Sequence, residues 1–309
     1  MDLETIGLLL DVHRLGSFAE AARGRDLDPS RISRAVAALE RDLGIRLFQR
    51  TTRRVRTTEA GEIYLRRLAL IAEDLERARD DARSVSEGPV GLLRLTATVA
   101  FGDKVIVPLL PAFRRAHPHV DVDLVLSDAN LDLVRDRVDL AVRLGPGVAG
   151  DLVVSKLRDS VYRVCASPAY LAEHGRPREP RDLAGHQCLR FNLPGFRDRW
   201  IFAGGDLDGP VEVPVSGGVI ASGASALHAL ALAGLGPVLL ADWLVDDDVA
   251  AGRLVDLFPG HRVTPTSFET AVWLLYPSRS FLPRKVRAMI DFLRARIGTP
   301  STIAANPNL

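Results

Sequence analysis

One uninterrupted helical pattern, residues 59–84, divides this chain and constrains what can sit on either side of it. Thr58 is placed to cap the helix, and Glu59 and Glu62 suit the positive end of its dipole. Tyr64, Leu68, Ile71, Leu75, Ala78 and Ala82 recur at spacings of 4-3-4-3-4 along an otherwise charged segment. That is nearly three heptads of an apolar a/d seam. Such a seam serves either a second helix or the helix's own domain. No flanking segment shares the pattern, which favours pairing of two chains through Tyr64, Leu68, Ile71 and Leu75. At 1.5 Å per residue the helix reaches roughly 40 Å, enough to hold an N-terminal head apart from a C-terminal body. It is expected to end in the linker Ser84-Val85-Ser86-Glu87-Gly88-Pro89.

Charge divides at the same place. The 309 residues carry 40 Lys+Arg against 39 Asp+Glu, a net of +1. Residues 1–58, however, hold 11 Arg and 8 acids, a net of +3, and the remainder carries −2. A basic head on a slightly acidic body suggests a polyanion-facing module joined to something else. The chain has the 47% hydrophobic content of an ordinary globular protein. Two cysteines, Cys165 and Cys188, exclude a disulfide scaffold and fit a reducing cytosol. Met1-Asp2-Leu3-Glu4 lacks the basic start of a secretion signal, and no run of 18 apolar residues offers a membrane span. A cytoplasmic protein without a membrane partner is expected.

Residues 1–58 read as short helices followed by a wing. Leu3, Ile6, Leu9, Leu10 and His13 share one face of a first helix, with Asp2 as its N-cap, and Gly16 breaks it. Ser17-Phe18-Ala19-Glu20 has the form of a capping box opening a short helix of small residues, about 18–24. Asp28-Pro29 opens a third, with Asp as cap and Pro at the first helical position. Its inward face is Ile32, Val36, Leu39 and Leu43; outward lie Ser30, Arg31, Ser33, Arg34 and Arg41. Two short strands then flank Thr51-Thr52-Arg53. This is a winged helix-turn-helix layout. Ser and Arg at the start of the third helix are the side chains that read base edges in the major groove, and Arg50, Arg53, Arg54 and Arg56 suit phosphates. Double-stranded DNA is the implied partner.

Residues 90–297 alternate strands and helices. Strands are expected at 92–97, 120–126, 139–144, 152–157, 161–166, 188–192, 211–215, 237–240 and 270–276. Helices are expected at 102–116, 131–137, 168–174, 224–234, 241–250 and 283–297. The alternation favours a mostly parallel α/β sheet, and the length favours two lobes. Pro237 disturbs one strand, since it forfeits a ladder hydrogen bond. The tail 298–309 is expected to be disordered.

From Gly16 to Gly61 the sequence, including Pro29-Ser30-Arg31-Ile32-Ser33-Arg34-Ala35-Val36 and Leu47-Phe48-Gln49-Arg50, closely resembles the LysR-type transcriptional regulators. So do Val107-Pro108-Leu109-Leu110-Pro111, Cys165-Ala166-Ser167-Pro168 and Ala233-Gly234-Leu235-Gly236. The resemblance implies three parts. These are a DNA-binding domain at 1–58, a dimerising helix and hinge at 59–89, and an effector domain at 90–297 like a type II periplasmic binding protein. In that domain lobe I would take about 90–161 and 267–297, and lobe II about 162–266. The fold class is thus multidomain α+β. It also implies a dimer or dimer of dimers, RNA polymerase as a further partner of an activator, and a small-molecule effector with no cofactor. Matched onto the family pattern, Ser33 and Arg34 take its Ser-Arg pair, and Ser30 and Arg31 the preceding base-reading positions. Arg50 follows Leu-Phe-x, Arg53 and Arg54 form the wing, and Ser17 opens the turn.

Two segments, Thr96 to Gly102 and Ala221 to Ser225, start helices directly after strands with small or hydroxyl residues, which suits an anionic effector. By the resemblance, Thr98, Ser127 and Arg143 would face it from one lobe, and Asn192, Phe191 and Ser222 from the other. Other classes fit less well. Gly145 to Gly150 satisfies G-x-G-x-x-G, but a strand rather than a helix comes next, against a dinucleotide enzyme. A solute-binding protein with an accessory helical head does not need the basic wing. No nucleophile elbow or metal-ligand spacing occurs, so no catalytic or metal residue is expected. Cys165 lies in an apolar strand and reads as core rather than as a redox sensor.

Overall fold

The computed structural model describes residues 3–50, 55–129, 132–144, 152–277 and 282–297. The chain forms two compact units, Met1–Gly88 and Pro89–Leu309.

In the first unit, α1 (Leu3–Leu15), α2 (Phe18–Arg23) and α3 (Pro29–Leu43) precede strands β1 (Phe48–Arg50) and β2 (Val55–Thr57) and the long α4 (Glu59–Glu87). Gly16 takes the left-handed φ of +63° that ends α1, and its carbonyl accepts the Val55 N–H at 3.0 Å. The turn before α2 therefore anchors the wing. Ser17 accepts the Glu20 N–H at 3.3 Å, one half of the expected capping box. The core is Ile6, Leu8, Leu9, Val12, Ala21, Ala22, Ile32, Val36, Leu39, Leu47 and Phe48, closed by Leu65 and Leu68 of α4. Two details differ from the sequence reading of α1: Val12 and Leu8 point inward, and His13 is exposed. The buried stripe runs through Ile6, Leu9 and Val12, three residues apart, so the face turns away from His13. The long helix also continues through Ser84 to Glu87, where a linker was expected, before Gly88 ends it.

The second unit carries two sheets. The first orders β4 (Val120–Leu126), β3 (Gly91–Ala97), β5 (Leu140–Leu144), β15 (Ala271–Pro277) and β6 (Leu152–Asp159). β3 pairs in parallel with β4 and β5, and β15 runs antiparallel between β5 and β6. Leu93, Leu95, Val142, Val272 and Leu274 meet Phe101, Phe113 and the inner face of α10 (Arg284–Ile297) in one core. The expected helix at 102–116 begins earlier, as α5 (Val99–Phe101), and passes through a π turn at Gly102–Ile106 into α6 (Val107–Ala116). The expected helix at 131–137 is not formed by the described residues 132–137. Asp132 there accepts the N–H groups of Val134 and Arg135, an Asx-type turn that competes with helix.

The second sheet orders β10 (Val211–Pro214), β9 (Arg199–Gly204), β14 (His261–Thr264), β7 (Tyr162–Ala166) and β12 (Val238–Ala241), with β13 (Val255–Asp256) also on β7. Its pairings are antiparallel. This corrects the expectation of a mostly parallel fold; of these two sheets only the first meets it, in its β4-β3-β5 part. Strands β9, β13 and β14, none of them expected, fill out the second sheet; β9 leads into β10, and β13 into β14, with no helix between. β8 (Arg190–Phe191) and β11 (Ile220–Ala221) form a separate parallel pair. Trp200, Phe202, Tyr170 and Phe258 pack one core of this region. α8 (Ala224–Leu232) and α9 (Asp242–Ala250) close another with Leu227, Leu240, Leu244 and Val245, and α7 (Pro168–His174) flanks the sheet. Pro237 stands just before β12, where it needs no ladder N–H and its carbonyl accepts from Leu189 at 2.7 Å.

The chain crosses between the sheets twice, and both crossings meet around one carboxylate. Asp242, the first residue of α9, accepts from Arg158 and, at 2.9 Å, from Ser160, while its N–H donates to the Val161 carbonyl at 2.8 Å. Ser160 N–H in turn donates to Thr270 on the returning segment at 3.1 Å.

Each unit offers a position where this packing can be tested through stability. A Cβ on Gly61 would sit 2.0 Å from the Leu47 carbonyl oxygen, where α4 starts against the root of the wing. Gly61→Ala is expected to destabilise the first unit by about 1–3 kcal/mol, read as an earlier transition in urea-induced unfolding; an unchanged transition contradicts the packing. Asp248, buried between α8 and α9, bonds with His228 Nε2 at 2.7 Å and accepts from Arg253 Nε at 2.6 Å. Burial alone would raise its pKa, but the bonds from Arg253 and His228 hold the carboxyl below its usual value. A carboxyl depressed in the folded state adds stability above its unfolded pKa, near ~3.9, and that contribution is lost as pH falls through the folded value. Asp248→Asn is therefore expected to lower Tm at neutral pH and to flatten the decline of Tm below about pH 4. A decline parallel to that of wild type would overturn this account.

Candidate functional site

The first candidate is the outer face of α3. Asp28 caps the helix by accepting the Ser30 N–H at 2.7 Å, and the hydrogen bonds from Ser30 hold its carboxyl below the ordinary value. Pro29 fills the first turn. Ile32, Val36 and Leu39 are buried, which fixes the rotation of the helix and leaves Ser30, Arg31 and Arg34 exposed, with Ser33 half-buried beside them. Arg34 reaches back one turn to the Ser30 carbonyl at 3.3 Å and hydroxyl at 3.4 Å, so these two share one outward stripe. Ser17 is half-buried and engaged in capping α2. Arg50 lies in β1 opposite Val55, while Arg53 and Arg54 fall outside the described residues.

The wing is held by a residue that the sequence reading passed over. Glu40, from the C-terminal half of α3, accepts the N–H groups of Leu47 and Phe48 at 2.8 and 3.0 Å. Phe18 of α2 meets Phe48 edge-on at 6.1 Å. An acid in a charged helix carries no periodic signal of such a role, because its partner backbone is supplied by the turn after Gly44.

The expected pairing face on α4 divides. Tyr64 and Leu68 pack against the core of their own unit. Ile71 and Leu75 are exposed, at 57% and 39%, with Ile63 at 62%. The first heptad of the seam therefore serves the head and the second remains available on the surface.

The second candidate is a cavity of about 380 Å³ between the two sheets. Thr98, Arg143 and Ser222 line it; Ser127 and Asn192 do not. Ser127 instead donates its N–H to Ala97 and accepts from Ala129, and the Asn192 N–H donates to Ala221. Residues that the sequence reading did not assign to the site also line it: Asp128 on the polar side, and Tyr162, Phe196 and Trp243 on the apolar side, alongside Phe191, which it did name. Trp243 packs against the cores of both sheets and meets Phe101 edge-on at 5.1 Å.

Two polar atoms of the described lining residues lack protein partners. The Thr98 hydroxyl and the Trp243 indole N–H are buried and unbonded. The Arg143 guanidinium donates to Thr96 Oγ1 at 3.1 Å and to the Val142 carbonyl at 3.3 Å. Burial lowers its pKa, and the Asp128 charge opposes that shift. Thr98 does not cap α5; Asp128 does, accepting the Val99 N–H at 3.0 Å. Buried donors without partners cost free energy until a ligand or water meets them, so the arrangement suits a small molecule with an acceptor end and an apolar body.

The glycine loop Gly145 to Gly150 lies outside the described residues, but the segment after it is the strand β6. The expected tail 298–309 also lies outside them. Among the described residues no cluster of side chains could hold a metal ion, and no helix is long and apolar enough to cross a membrane. Cys165 and Cys188 are both buried. Burial pushes the Cys188 thiol up to about 12 and raises that of Cys165 as well. A thiol-specific disulfide reagent is therefore expected to label neither cysteine in the native protein and both after denaturation; rapid native labelling would show that the burial is wrong.

A helix-turn-helix with a basic outer stripe in one unit, and a cavity with unmet polar groups between two sheets in the other, define a ligand-responsive DNA-binding regulator. Known proteins agree over both units. Residues 3–62 match the bacterial regulatory helix-turn-helix of the lysR family, and residues 86–298 match the LysR substrate binding domain. The transcriptional regulator CrgA of Neisseria meningitidis serogroup C is 35% identical over 295 residues, 96% of this chain and 97% of that protein. DmlR of Escherichia coli K12 is 32% identical, covering 94% of this chain and 93% of its own length. The solved structure of Neisseria meningitidis CrgA, a LysR-type transcriptional regulator, superposes with a TM-score of 0.61 over 97% of this chain and all (100%) of that one, at 35% identity. The full-length Vibrio cholerae virulence activator AphB gives 0.59 at 26% identity, over 96% of this chain and 99% of its own. The chain belongs to the LysR family of transcriptional regulators, with a DNA-binding domain followed by an effector-binding domain.

Proposed function

We propose that the protein reads a DNA half-site with Ser30, Arg31, Ser33 and Arg34 and holds the flanking phosphates with Ser17, Arg50, Arg53 and Arg54. The observation that carries this reading is the orientation of α3: Ile32, Val36 and Leu39 are buried, so Ser30, Arg31 and Arg34 face outward on one stripe. The reading divides the chain into a DNA-binding part at 1–58, a pairing helix and hinge at 59–89, and an effector part at 90–297. In the last, lobe I takes about 90–161 and 267–297, and lobe II about 162–266. Two chains pair through α4, with Ile71 and Leu75 in the contact and Tyr64 and Leu68 supporting it from the head core. A dimer, or a dimer of dimers, then matches two half-sites at a fixed spacing. The protein works in the cytoplasm, performs no catalysis, and contacts RNA polymerase where it activates.

In this reading the cavity takes the effector, with an anionic group of the ligand at Arg143, Thr98 and Ser222. Ser127 sits one residue from Asp128 and Asn192 one residue from Phe191, so both act on the site only through the backbone beside them. An effector shifts the protein only by binding two arrangements of the sheets unequally. Asp242 and Trp243 are adjacent and join the crossing strands to the cavity wall, which gives the ligand a route to that geometry.

The test is fluorescence anisotropy with the DNA upstream of the protein's own gene, in a salt series, for wild type and Arg34→Ala. Specific binding at least ~10³-fold above random DNA, with a steep negative salt slope, is expected. Arg34→Ala should weaken specific binding by roughly 1–3 kcal/mol. A selection over genomic fragments that returns none preferred over random DNA would sink the reading.

A further inference from the structure

Among the described residues, those that line the cavity between the sheets include one cation and one anion, and the two do not spend themselves on each other. Arg143 gives its hydrogen bonds to Thr96 and to the Val142 carbonyl, and Asp128 takes the Val99 N–H. Both line the same space, and each feels the other's charge. An Arg and an Asp that face one cavity of about 380 Å³ without bonding to each other set a narrow requirement on an occupant. A second carboxylate would meet Asp128, and among the described lining residues no other cation balances it. A plain cation would meet Arg143. A molecule that carries a carboxylate and an ammonium a few ångströms apart satisfies both, and leaves the charges of the described lining balanced. The remaining wall is apolar and aromatic: Phe196 stands edge-on to Tyr162 at 5.9 Å and beside Phe191 at 5.6 Å, and Leu244 and Trp243 also line the space. Such a wall suits an apolar side chain, and aromatic edges and faces suit a ring. The volume lies near the small end of the ~300–1,000 Å³ range of ligand pockets, so the body must be compact.

We propose that the effector is a zwitterionic α-amino acid with an apolar, preferably aromatic, side chain, its carboxylate on Arg143 and Thr98 and its ammonium on Asp128. This rests on the reading of the cavity as the effector site and narrows it. Thr98 lines the same space, and rotation of its side chain brings its unpartnered hydroxyl to the carboxylate. Phe196 and Trp243 become the residues that set side-chain preference, because they bound the apolar end.

The experiment uses calorimetric titration and thermal shift of the full-length protein with L-phenylalanine, L-leucine, 3-phenylpropanoate and 2-phenylethylamine. The last two keep the ring and delete the ammonium or the carboxylate. Wild type is expected to bind L-phenylalanine, or L-leucine if the ring is too large. Each truncated analogue should bind about 10–100-fold more weakly, the worth of one hydrogen bond to a charged group. Asp128→Asn should weaken the amino acid by a similar factor and leave 3-phenylpropanoate unchanged or tighter, while Arg143→Gln should abolish both. That crossed pattern cannot come from a variant that merely folds poorly. Binding of 3-phenylpropanoate as tight as that of L-phenylalanine would overturn the zwitterion and leave the cavity reading intact. Absence of any heat or shift with both amino acids would overturn the ligand class. The cavity reading itself fails only if no compound in a broad metabolite panel shifts wild type more than Arg143→Gln.

Discussion

Asp242 places a nearly buried carboxylate where the two sheets of the second unit are joined. Its oxygens accept from Arg158 on the outgoing strand and from Ser160 just past its end, and its N–H reaches Val161. Removing one partner of a buried pair costs far more than the pair contributes, about 3–5 kcal/mol, since the other charge is left stranded. The relation between the sheets is therefore set by a contact that tolerates little change in geometry. The cavity inherits that constraint, because the next residue, Trp243, forms its wall and touches the cores on both sides. Lys104 to Asp247, at 2.8 Å, ties the same helix to the first sheet's side a turn and a half later, but on the surface, where such a pair adds little.

The first unit solves a different problem with equally few contacts. A recognition helix must expose short polar side chains and remain rigid. Burial of Ile32, Val36 and Leu39 fixes its rotation, and the Asp28 cap fixes where it starts. Glu40 then uses the same helix to hold the N–H groups at the wing's root. Thr58 bridges wing and α4 by donating to the Arg46 carbonyl at 2.6 Å and accepting from Gly61 N–H at 2.9 Å. Gly61 has no room for a side chain at that approach. The Thr-Glu-Ala-Gly segment thus has a packing reason that owes nothing to DNA.

The local elements were legible where the signal is itself local. Caps at Ser17, Asp28 and Thr58, the glycine stop at Gly16, and the apolar stripe of α3 all arise from local chemistry acting on backbone within a few residues. Resemblance to the LysR family placed Thr98, Arg143 and Ser222, which do share one cavity. The same reading brought in Ser127 and Asn192, whose backbones lie next to the cavity while their side chains do not line it. It assigned neither Asp128 nor Trp243 to the site, because a lone Asp after a strand and a Trp in a helix carry no motif. Strands β9 and β14 escaped notice for a related reason: Arg199–Gly204 and His261–Thr264 owe their extended form to partners on each other and on β7 and β10, most of them far away in sequence.

Sequence by itself determined the modular plan, a basic helix-turn-helix, a long helix and an α/β body, and the residues that face outward from α3. Those properties depend on periodicity, capping and charge, which act over one or two turns. Tertiary structure alone decided that the second sheet is antiparallel and that Tyr64 and Leu68 belong to the head core while Ile71 and Leu75 stay exposed. It also decided that Arg143 and Asp128 face one cavity without pairing. Each of these depends on which distant segment fills the space beside a residue, and burial and electrostatic complementarity across such gaps leave no repeating mark along the chain.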